Sequence, residues 1–326
     1  MPIHDVGYRS WSGPLMSIFT RWWVITEAGI KINLKNGWIK RTMLLAWLPA
    51  VLAAIGIFFG EKMIDQMEKS PEAATTIYRT FFRISNTFPG FDAVTDALRD
   101  NDKNLARKQL WSWLILNFLR TFQGASVVLL LGLVVPPLIA QDVRSRAFQL
   151  YYARPIGRLD YVVGKLAIPA FFVALITTGP ALGLYFFGVM MSPDLTVIYD
   201  TWQIPLQILV CSVVLILPTC TLSLMFSSMT HESRFAGFAW FSVWGLGFVA
   251  WNIVRVIKLE QMAEGASYDS SWTLVSLYDT LGKVQLWVFG LAENIPAVGA
   301  SAVLLIGITI LSLVILFRRV AAPLRA

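Results

Sequence analysis

The sequence predicts an all-α polytopic membrane protein with six transmembrane helices, both termini in the cytoplasm and an amphipathic helix near the N-terminus. Three observations support this fold class. Of the 326 residues, 56% are hydrophobic and only 14% are charged, whereas soluble domains carry about 25% charged residues. Six apolar runs have about the length that a helix needs to cross the roughly 30 Å hydrocarbon layer. Lys and Arg are also distributed unequally between the segments that join these runs.

The apolar runs should all be helical, because backbone polar groups without partners are costly in lipid. The first run follows a charged, tryptophan-rich segment and has no cleavage site after it, so we expect it to remain in the mature protein. Pro136 and Pro137 should break the second helix near its inner end. The third and fourth runs are long enough to tilt or to extend beyond the bilayer. The six runs span residues 43–60, 122–140, 163–191, 202–229, 235–257 and 296–317.

The charge distribution predicts the orientation. With the N-terminus inside, the inner segments hold 15 of the 27 Lys and Arg residues but only five of the 20 acidic residues. The contrast is sharpest between two neighbouring segments: 142–165 is rich in arginine, whereas 192–201 has two aspartates and no base. Inner loops of membrane proteins are enriched in Lys and Arg, so both termini should be cytoplasmic. We therefore attribute the net charge of +7 to topology and expect no nucleic-acid partner.

The cytoplasmic N-terminal segment, residues 1–42, should contain an amphipathic helix that lies in the inner interface of the lipid bilayer. Its polar residues, Thr20, Glu27 and Lys31, lie opposite a predominantly apolar side. That side consists of Ile18, Trp22, Ile25, Gly29 and Ile32, widened by Phe19, Trp23 and Ile30.

Two longer segments, 61–121 and 258–295, should be extracytoplasmic. Within the first, residues 110–119 carry Trp111 and Trp113 and are interpreted as an interfacial stretch. Within the second, the apolar patch 271–291 contains two charged residues, which favours a re-entrant or interfacial helix over a crossing one. Arg120 and Arg255 lie near the outer ends of their runs, where a long side chain is expected to reach the lipid–water interface.

The sequence lacks the residue patterns of several catalytic classes. Neither Gly-Lys pair, Gly164-Lys165 or Gly282-Lys283, has the upstream glycine and the following Ser or Thr of a phosphate-binding loop. The two histidines, His4 and His231, lie far apart without the spacing of metal ligands. We therefore expect no ATPase site, no metal and no cofactor in this chain, and consider an intramembrane enzyme the weakest of the functional classes.

The loop between the second and third runs, residues 141–162, is the most informative segment. It alternates charged and aromatic residues, and its short amphipathic helix should end at Arg154, because a residue before proline avoids the helical conformation. By charge alone, two interpretations remain open. The loop is either a docking surface for a soluble partner or a basic loop that fixes the topology.

This loop resembles the signature of type-2 ABC (ATP-binding-cassette) transporter permeases. Arg146, followed by Ala147, stands where many members of that family carry a glycine before the helix. The six runs and the two cytoplasmic termini agree with the layout of the family, and the N-terminal helix is similar to its elbow helix. The matching residues are Asp142, Leu150, Ala153, Arg154, Pro155, Arg158, Tyr161, Gly164 and Lys165.

The resemblance implies the permease subunit of an ATP-driven exporter in the bacterial inner (plasma) membrane. It also implies a homodimer or heterodimer with a second permease, and a separate ABC ATPase subunit that binds ATP and takes residues 142–152 into a groove. The translocation path would run between the two permeases and suit a hydrophobic or amphipathic substrate. The residues assigned to the ATPase-coupling loop are Asp142, Arg144, Arg146, Leu150, Tyr151, Arg154, Pro155, Arg158, Tyr161, Gly164 and Lys165.

A second interpretation uses the same loop. The chain could be a membrane scaffold or signal transmitter that does not transport, is driven by the same kind of ATPase, and has the outer segment 61–108 as its output. Stimulation of ATP turnover by a transported substrate would distinguish the two functions.

Overall fold

The computed structural model describes residues 20–67, 102–145, 147, 156–192, 196–263, 274–291 and 298–321. These residues are almost entirely helical, with no strand among them. The helices are α1 (Arg21–Leu34), α2 (Gly37–Met67), α3 (Lys103–Asn117), a π-helix (Phe118–Phe122), α4 (Gln123–Val134), α5 (Pro136–Arg144), α6 (Arg158–Ile176), α7 (Thr178–Met191), α8 (Val197–Thr201), α9 (Gln203–Met229), α10 (Ser233–Ala263), α11 (Leu277–Phe289) and α12 (Val298–Ala321).

Six helical stretches are long and apolar enough to cross a membrane, and each overlaps one of the predicted runs. The prediction of an all-helical chain with six such segments is therefore confirmed. Some stretches extend well beyond the apolar runs. The second is the clearest case, because α3 precedes the run that was predicted to begin at residue 122. The six are Gly37–Asp65, Lys103–Arg144, Arg158–Met191, Val197–Met229, Ser233–Val254 and Val298–Val320.

Two of the six stretches are interrupted. In the second, α4 ends at Val134 and α5 begins at Pro136, which confirms the break predicted at the proline pair. In the third, α6 gives way to α7 at Thr177, whose hydroxyl donates to the carbonyl oxygen of Val173 at 2.7 Å. Local side-chain hydrogen bonds of this kind allow a helix to be interrupted in apolar surroundings.

Helix α9 lies at the centre of the bundle. It packs against α5, α6, α7, α10, α11 and α12, and two-thirds of its most apolar segment is buried within the protein, whereas only 11% and 22% of the corresponding segments of α10 and α12 are buried. Large exposed apolar side chains such as Leu44, Phe238 and Val303 form the outer surface of the bundle. This pattern is the one expected for spans that face lipid on the outside and one another within.

Helix α3 corrects the prediction of an interfacial stretch at residues 110–119. Trp111 and Trp113 are 0% and 3% exposed and lie inside the bundle, where α3 packs between α2 and α7. The indole nitrogen of Trp111 donates to Glu61 at 2.9 Å, and Glu61 also accepts two hydrogen bonds from Nε of Arg107. Residues 110–116 are all buried, so this part of α3 is enclosed by protein on every side. Its tryptophans are as compatible with a packed core as with an interface, and the sequence alone does not separate the two.

Helix α11 covers most of the patch that was expected to be re-entrant or interfacial. Its 13 residues span about 20 Å, less than the hydrocarbon thickness, and it packs against α9, α10 and α12. The side chain of Arg120 is mostly buried, whereas we expected it to reach the lipid–water interface. Its side chain is 16% exposed and lies 3.8 Å from Asp279 of α11. The side chain of Arg255 lies outside the described part.

Helix α1 begins at Arg21 and packs against α6 and α2. Its inner face contains Ile25, as predicted, but also Thr26, which was not assigned to that face. Two residues of the predicted apolar side, Trp23 and Ile32, are 45% and 67% exposed. Exposure of these two side chains is compatible with a helix whose apolar side faces lipid, so the assignment of that side stays a prediction. Thr26 can be buried because a backbone acceptor lies within its reach.

Candidate functional site

The two helices that flank the arginine-rich loop meet at its base. Helix α5 leads into the loop and ends at Arg144, and α6 leads out of it and begins at Arg158. Residues 141–162 thus connect two helices that belong to different candidate spans. We call the contact between these two helix ends the loop junction, formed by Leu138 and Asp142 of α5 with Tyr161 and Lys165 of α6.

Asp142 is the centre of the loop junction. Its Oδ2 atom lies 2.7 Å from Nζ of Lys165 and accepts a hydrogen bond of 2.7 Å from the hydroxyl of Tyr161. Lys165 also donates to the carbonyl oxygen of Leu138 at 2.7 Å, and its ammonium lies 5.6 Å from the centre of the Tyr161 ring. An ion pair with these additional hydrogen bonds offsets the cost of burying both charges.

The spacing of the four residues explains why they meet. Leu138 and Asp142 are four residues apart on α5, and Tyr161 and Lys165 are four residues apart on α6, so each pair lies on one face of its helix. The two faces are opposed, with Tyr161 fully buried and the Lys165 and Asp142 side chains only 9% and 15% exposed. The loop junction therefore holds the end of the second candidate span and the start of the third together.

The start of α6 is stabilised locally. The backbone N–H of Gly157 donates to Oδ2 of Asp160 at 3.0 Å, and an acidic side chain in the first turn also interacts favourably with the helix dipole. Arg158, the first residue of the helix, is exposed. The loop therefore ends at a helix start that is held by a hydrogen bond, and Arg158 at this position is exposed.

Helix α1 crosses α6 next to the loop junction. The hydroxyl oxygen of Thr26 lies 3.0 Å from the carbonyl oxygen of Trp22 and 3.1 Å from that of Gly164. A Cβ atom at Gly164 would lie 2.8 Å from the Trp22 oxygen and 2.9 Å from Cβ of Ile25, so only glycine permits this approach. Gly164 therefore lets α6 pack closely against α1.

A pocket of about 540 Å³ lies between α1, α5 and α6. Its lining is mainly apolar, with the polar groups of the loop junction on one wall. Among the residues that line it are Ile25, Gly29, Leu138, Asp142, Lys165 and Ile168.

Ser227 of α9 forms hydrogen bonds with the backbone at the start of α5. Its Oγ atom accepts hydrogen bonds of 3.1 Å from the backbone N–H groups of Ile139 and Ala140 and donates to the carbonyl oxygen of Pro136 at 2.9 Å. Ile139 and Ala140 are the fourth and fifth residues of α5, so their N–H groups already face backbone carbonyl oxygens one turn earlier in the helix. Ser227 is an additional partner for both N–H groups and joins α9 to the start of α5.

The structure brings together three of the predicted site residues, Asp142, Tyr161 and Lys165, and places Gly164 on the adjacent turn. Arg144 and Arg158 are exposed at the two ends of the loop. The other predicted residues, Arg146, Leu150, Tyr151, Arg154 and Pro155, lie outside the described residues.

Thr26 and Ser227 were not found from the sequence. Thr26 lies in an amphipathic helix whose inner face was only partly assigned, and Ser227 lies within an uninterrupted apolar run with two other hydroxyl residues within six positions before it. Their roles depend on backbone groups more than 80 residues away. No local pattern marks such contacts.

In comparisons with known proteins, no family model matches this chain, and no curated protein sequence matches it either. The function of the chain is therefore inferred from its residues and from the geometry of the loop junction.

Proposed function

We propose that this chain is the membrane-spanning permease subunit of an ATP-binding-cassette transporter, most simply an exporter, whose ATP is hydrolysed by a separate ATPase subunit. In this proposal the termini are cytoplasmic, α1 lies in the inner interface, and the chain pairs with a second permease in a bacterial inner membrane. The observation that supports the proposal is the loop junction. The loop junction joins α5 and α6, the two helices from different candidate spans that lie at the ends of the arginine-rich loop.

This geometry suits the transfer of force. A partner that pushes on residues 141–162 would move α5 and α6 together, because the Asp142–Lys165 ion pair and the Tyr161 hydrogen bond join them. Helix α1 would follow α6 through the contact at Gly164. The load would reach the central helix α9 through Ser227. Displacement of one loop would thus reach three candidate spans.

The exposed arginines supply the means of docking. Arg144 ends α5 and Arg158 begins α6, so two guanidinium groups flank the loop on the side away from the bundle. Arginine is suited to pairing with carboxylates and helix ends because its planar head presents several donors at once. An acidic groove on an ATPase subunit would be complementary to this surface.

The test is co-purification of the tagged full-length chain from its native host with its associated proteins. The intact protein is compared with the double variant Arg154→Glu and Arg158→Glu. A matched control is Arg319→Glu, since Arg319 is also exposed and lies at the end of the last span. We expect a soluble ATP-binding-cassette ATPase to accompany the intact protein and the control but to be lost from the double variant.

Failure of any such ATPase to accompany the intact protein would refute the permease assignment. Retention of the ATPase by the double variant would instead refute the docking role of the two arginines. If the complex forms, ATP turnover with and without candidate substrates separates the transporter from the scaffold or signal transmitter, because only a transporter should be stimulated by what it carries.

A further inference from the structure

A group of basic residues lies where α1 ends and α2 begins. Residues 28–60 contain four basic residues and no acidic one, and one of the four, Lys31, pairs with Glu27 at 2.6 Å. The other three are exposed and form no ion pair with an acidic residue in the described part of the chain. We call these three residues the basic corner: Lys35, Lys40 and Arg41. Arg41 lies over the ring of Trp38 at 5.3 Å, a contact that leaves its charge without a counterion.

A cleft of about 280 Å³ lies at the basic corner, between the end of α1 and the start of α2. Leu34, the last residue of α1, forms one side of it. The other side is one face of α2, because the residues that line it are spaced three and four positions apart along the helix. These residues are Lys40, Met43, Leu44 and Trp47. Lys40 therefore brings one charge of the basic corner into a lining that is otherwise apolar.

The cleft lies on the surface that a lipid bilayer would cover. Leu44 and Trp47 are 77% and 47% exposed, and both belong to the first candidate span, Gly37–Asp65. Lys40 precedes Trp47 by seven residues, which is about 10 Å along the helix axis. Basic and aromatic side chains at the end of a span are typical of the depth of lipid head groups. In a membrane the cleft would therefore extend from the head groups toward the hydrocarbon.

This position favours a lipid over a water-soluble occupant. An anion in water gains little from exposed lysines, because salt screens charges that are open to solvent. The phosphate of a lipid is instead held at the membrane surface, at the depth where basic residues next to a span attract it. An acidic protein would have to displace lipid from the exposed side chains of Leu44 and Trp47. Positive charge and apolar surface thus adjoin in the arrangement that an anionic phospholipid requires.

We propose that the cleft binds one anionic phospholipid. Lys40 pairs with the phosphate from within the cleft, and Lys35 and Arg41 add positive charge from neighbouring positions. The upper part of one acyl chain packs along the apolar residues that line the cleft. The inference requires that α2 crosses a membrane but not that the chain transports or binds an ATPase, so this proposal and the proposed function can fail separately.

The test is photo-crosslinking on the purified full-length chain in phosphatidylcholine nanodiscs. The probe is phosphatidylglycerol with a diazirine near the carboxyl end of one acyl chain, added at increasing mole fraction. Mass spectrometry of the digested protein locates and quantifies the cross-links. We expect saturable labelling at the start of α2. Unlabelled phosphatidylglycerol should displace the probe, whereas additional phosphatidylcholine with the same acyl chains and inorganic phosphate at millimolar concentration should not.

Variants of the basic corner test the role of its charge. Lys40→Gln should lower the apparent affinity about fivefold, which corresponds to the roughly 1 kcal/mol that one basic residue contributes near a membrane surface. Adding Arg41→Gln should lower it by about fivefold more, whereas Lys40→Arg should retain binding because the charge is kept. The matched control is Arg319→Gln, since Arg319 is also an exposed basic residue at the end of a candidate span, and it should leave the labelling unchanged.

Each part of the proposal can be overturned by a different result. Displacement by phosphatidylcholine would overturn the anionic head group, and displacement by inorganic phosphate would show an anion site that needs no lipid. Labelling without saturation, or equal losses for Lys40→Gln and Arg319→Gln, would show a general attraction of basic residues to the membrane surface and no built site. Loss of binding in Lys40→Arg as well as Lys40→Gln would overturn the role of the charge. All the substituted side chains are exposed, so folding of the variants should not limit the test.

Discussion

At the scale of single residues, the packing of α5 against α6 depends on the hydrogen bonds that the Lys165 ammonium donates. It donates to Asp142 and to the carbonyl oxygen of Leu138, and the Asp142 carboxylate also accepts from Tyr161. Removing one partner of such a buried pair leaves an uncompensated charge, which costs far more than the pair as a whole contributes.

Replacing Lys165 by methionine should therefore lower the free energy of unfolding by about 3–5 kcal/mol, the range for one partner lost from a buried ion pair. The change in the free energy of unfolding is measured by denaturant unfolding of the purified protein in detergent. The control is Arg158→Gln, an exposed change that should stay within about 0.5 kcal/mol of the intact protein. A loss for Lys165→Met no larger than that of the control would contradict the role of the ion pair.

Part of the candidate site could be predicted at this scale, and part could not. Asp142, Tyr161 and Lys165 were singled out by the signature that the loop resembles, and the spacing of four on α6 is what places Tyr161 beside Lys165. Arg120 was assigned to the surface because its partner Asp279 is 159 positions further along the chain. Long-range polar contacts of this kind follow from packing, which one sequence does not reveal.

At the scale of helices, the crossing of α1 and α6 fixes the position of the N-terminal helix. Thr26 bonds to the Gly164 carbonyl oxygen, and the missing side chain at Gly164 lets the two backbones approach. Close approach of helices at small residues is the usual basis of packing in membranes, where the hydrophobic effect between helices is weak.

Substituting Gly164 by alanine should destabilise the protein by about 1–3 kcal/mol, the usual cost of overpacking, and should expose α1 to limited proteolysis. Gly183→Ala is the control, since nothing lies within 4 Å of its added Cβ and alanine favours a helix by about 1 kcal/mol over glycine. Thermal unfolding should thus shift in opposite directions for the two variants. A shift in the same direction would show that the crossing does not limit stability.

The helices themselves differ in how far the sequence predicts them. Six apolar stretches and the proline break follow directly from composition and from the chemistry of proline. The burial of α3 and the interruption at Thr177 do not, because an apolar face looks the same against lipid and against protein. Tertiary packing decides these features, and it overrides the local pattern.

At the scale of the whole molecule, the distribution of charge predicts how the bundle is oriented in a membrane. The arginine-rich loop and the acidic segment near α8 lie at opposite ends of the third candidate span. Because Lys and Arg are retained on the cytoplasmic side, we expect the loop junction inside and α8 outside.

Thiol labelling tests this orientation. The native cysteines, Cys211 and Cys220, are buried, so background reaction should be low. Tyr199→Cys, at a position 83% exposed, should react with a membrane-impermeant maleimide on intact cells. Arg319→Cys should react only after permeabilisation. Labelling of both residues from outside, or the reverse pattern, would overturn the prediction that the termini are cytoplasmic.

The central position of α9 has a consequence for biosynthesis. The ribosome completes the first three spans before residues 203–229 exist, and at about 5–20 residues per second the nascent chain waits for several seconds. During that interval the start of α5 lacks its hydrogen bonds to Ser227, and lipid offers no substitute for them. We therefore expect a chain that ends before the fourth span to be degraded rather than assembled, because nothing yet holds the proline break of the second span in place.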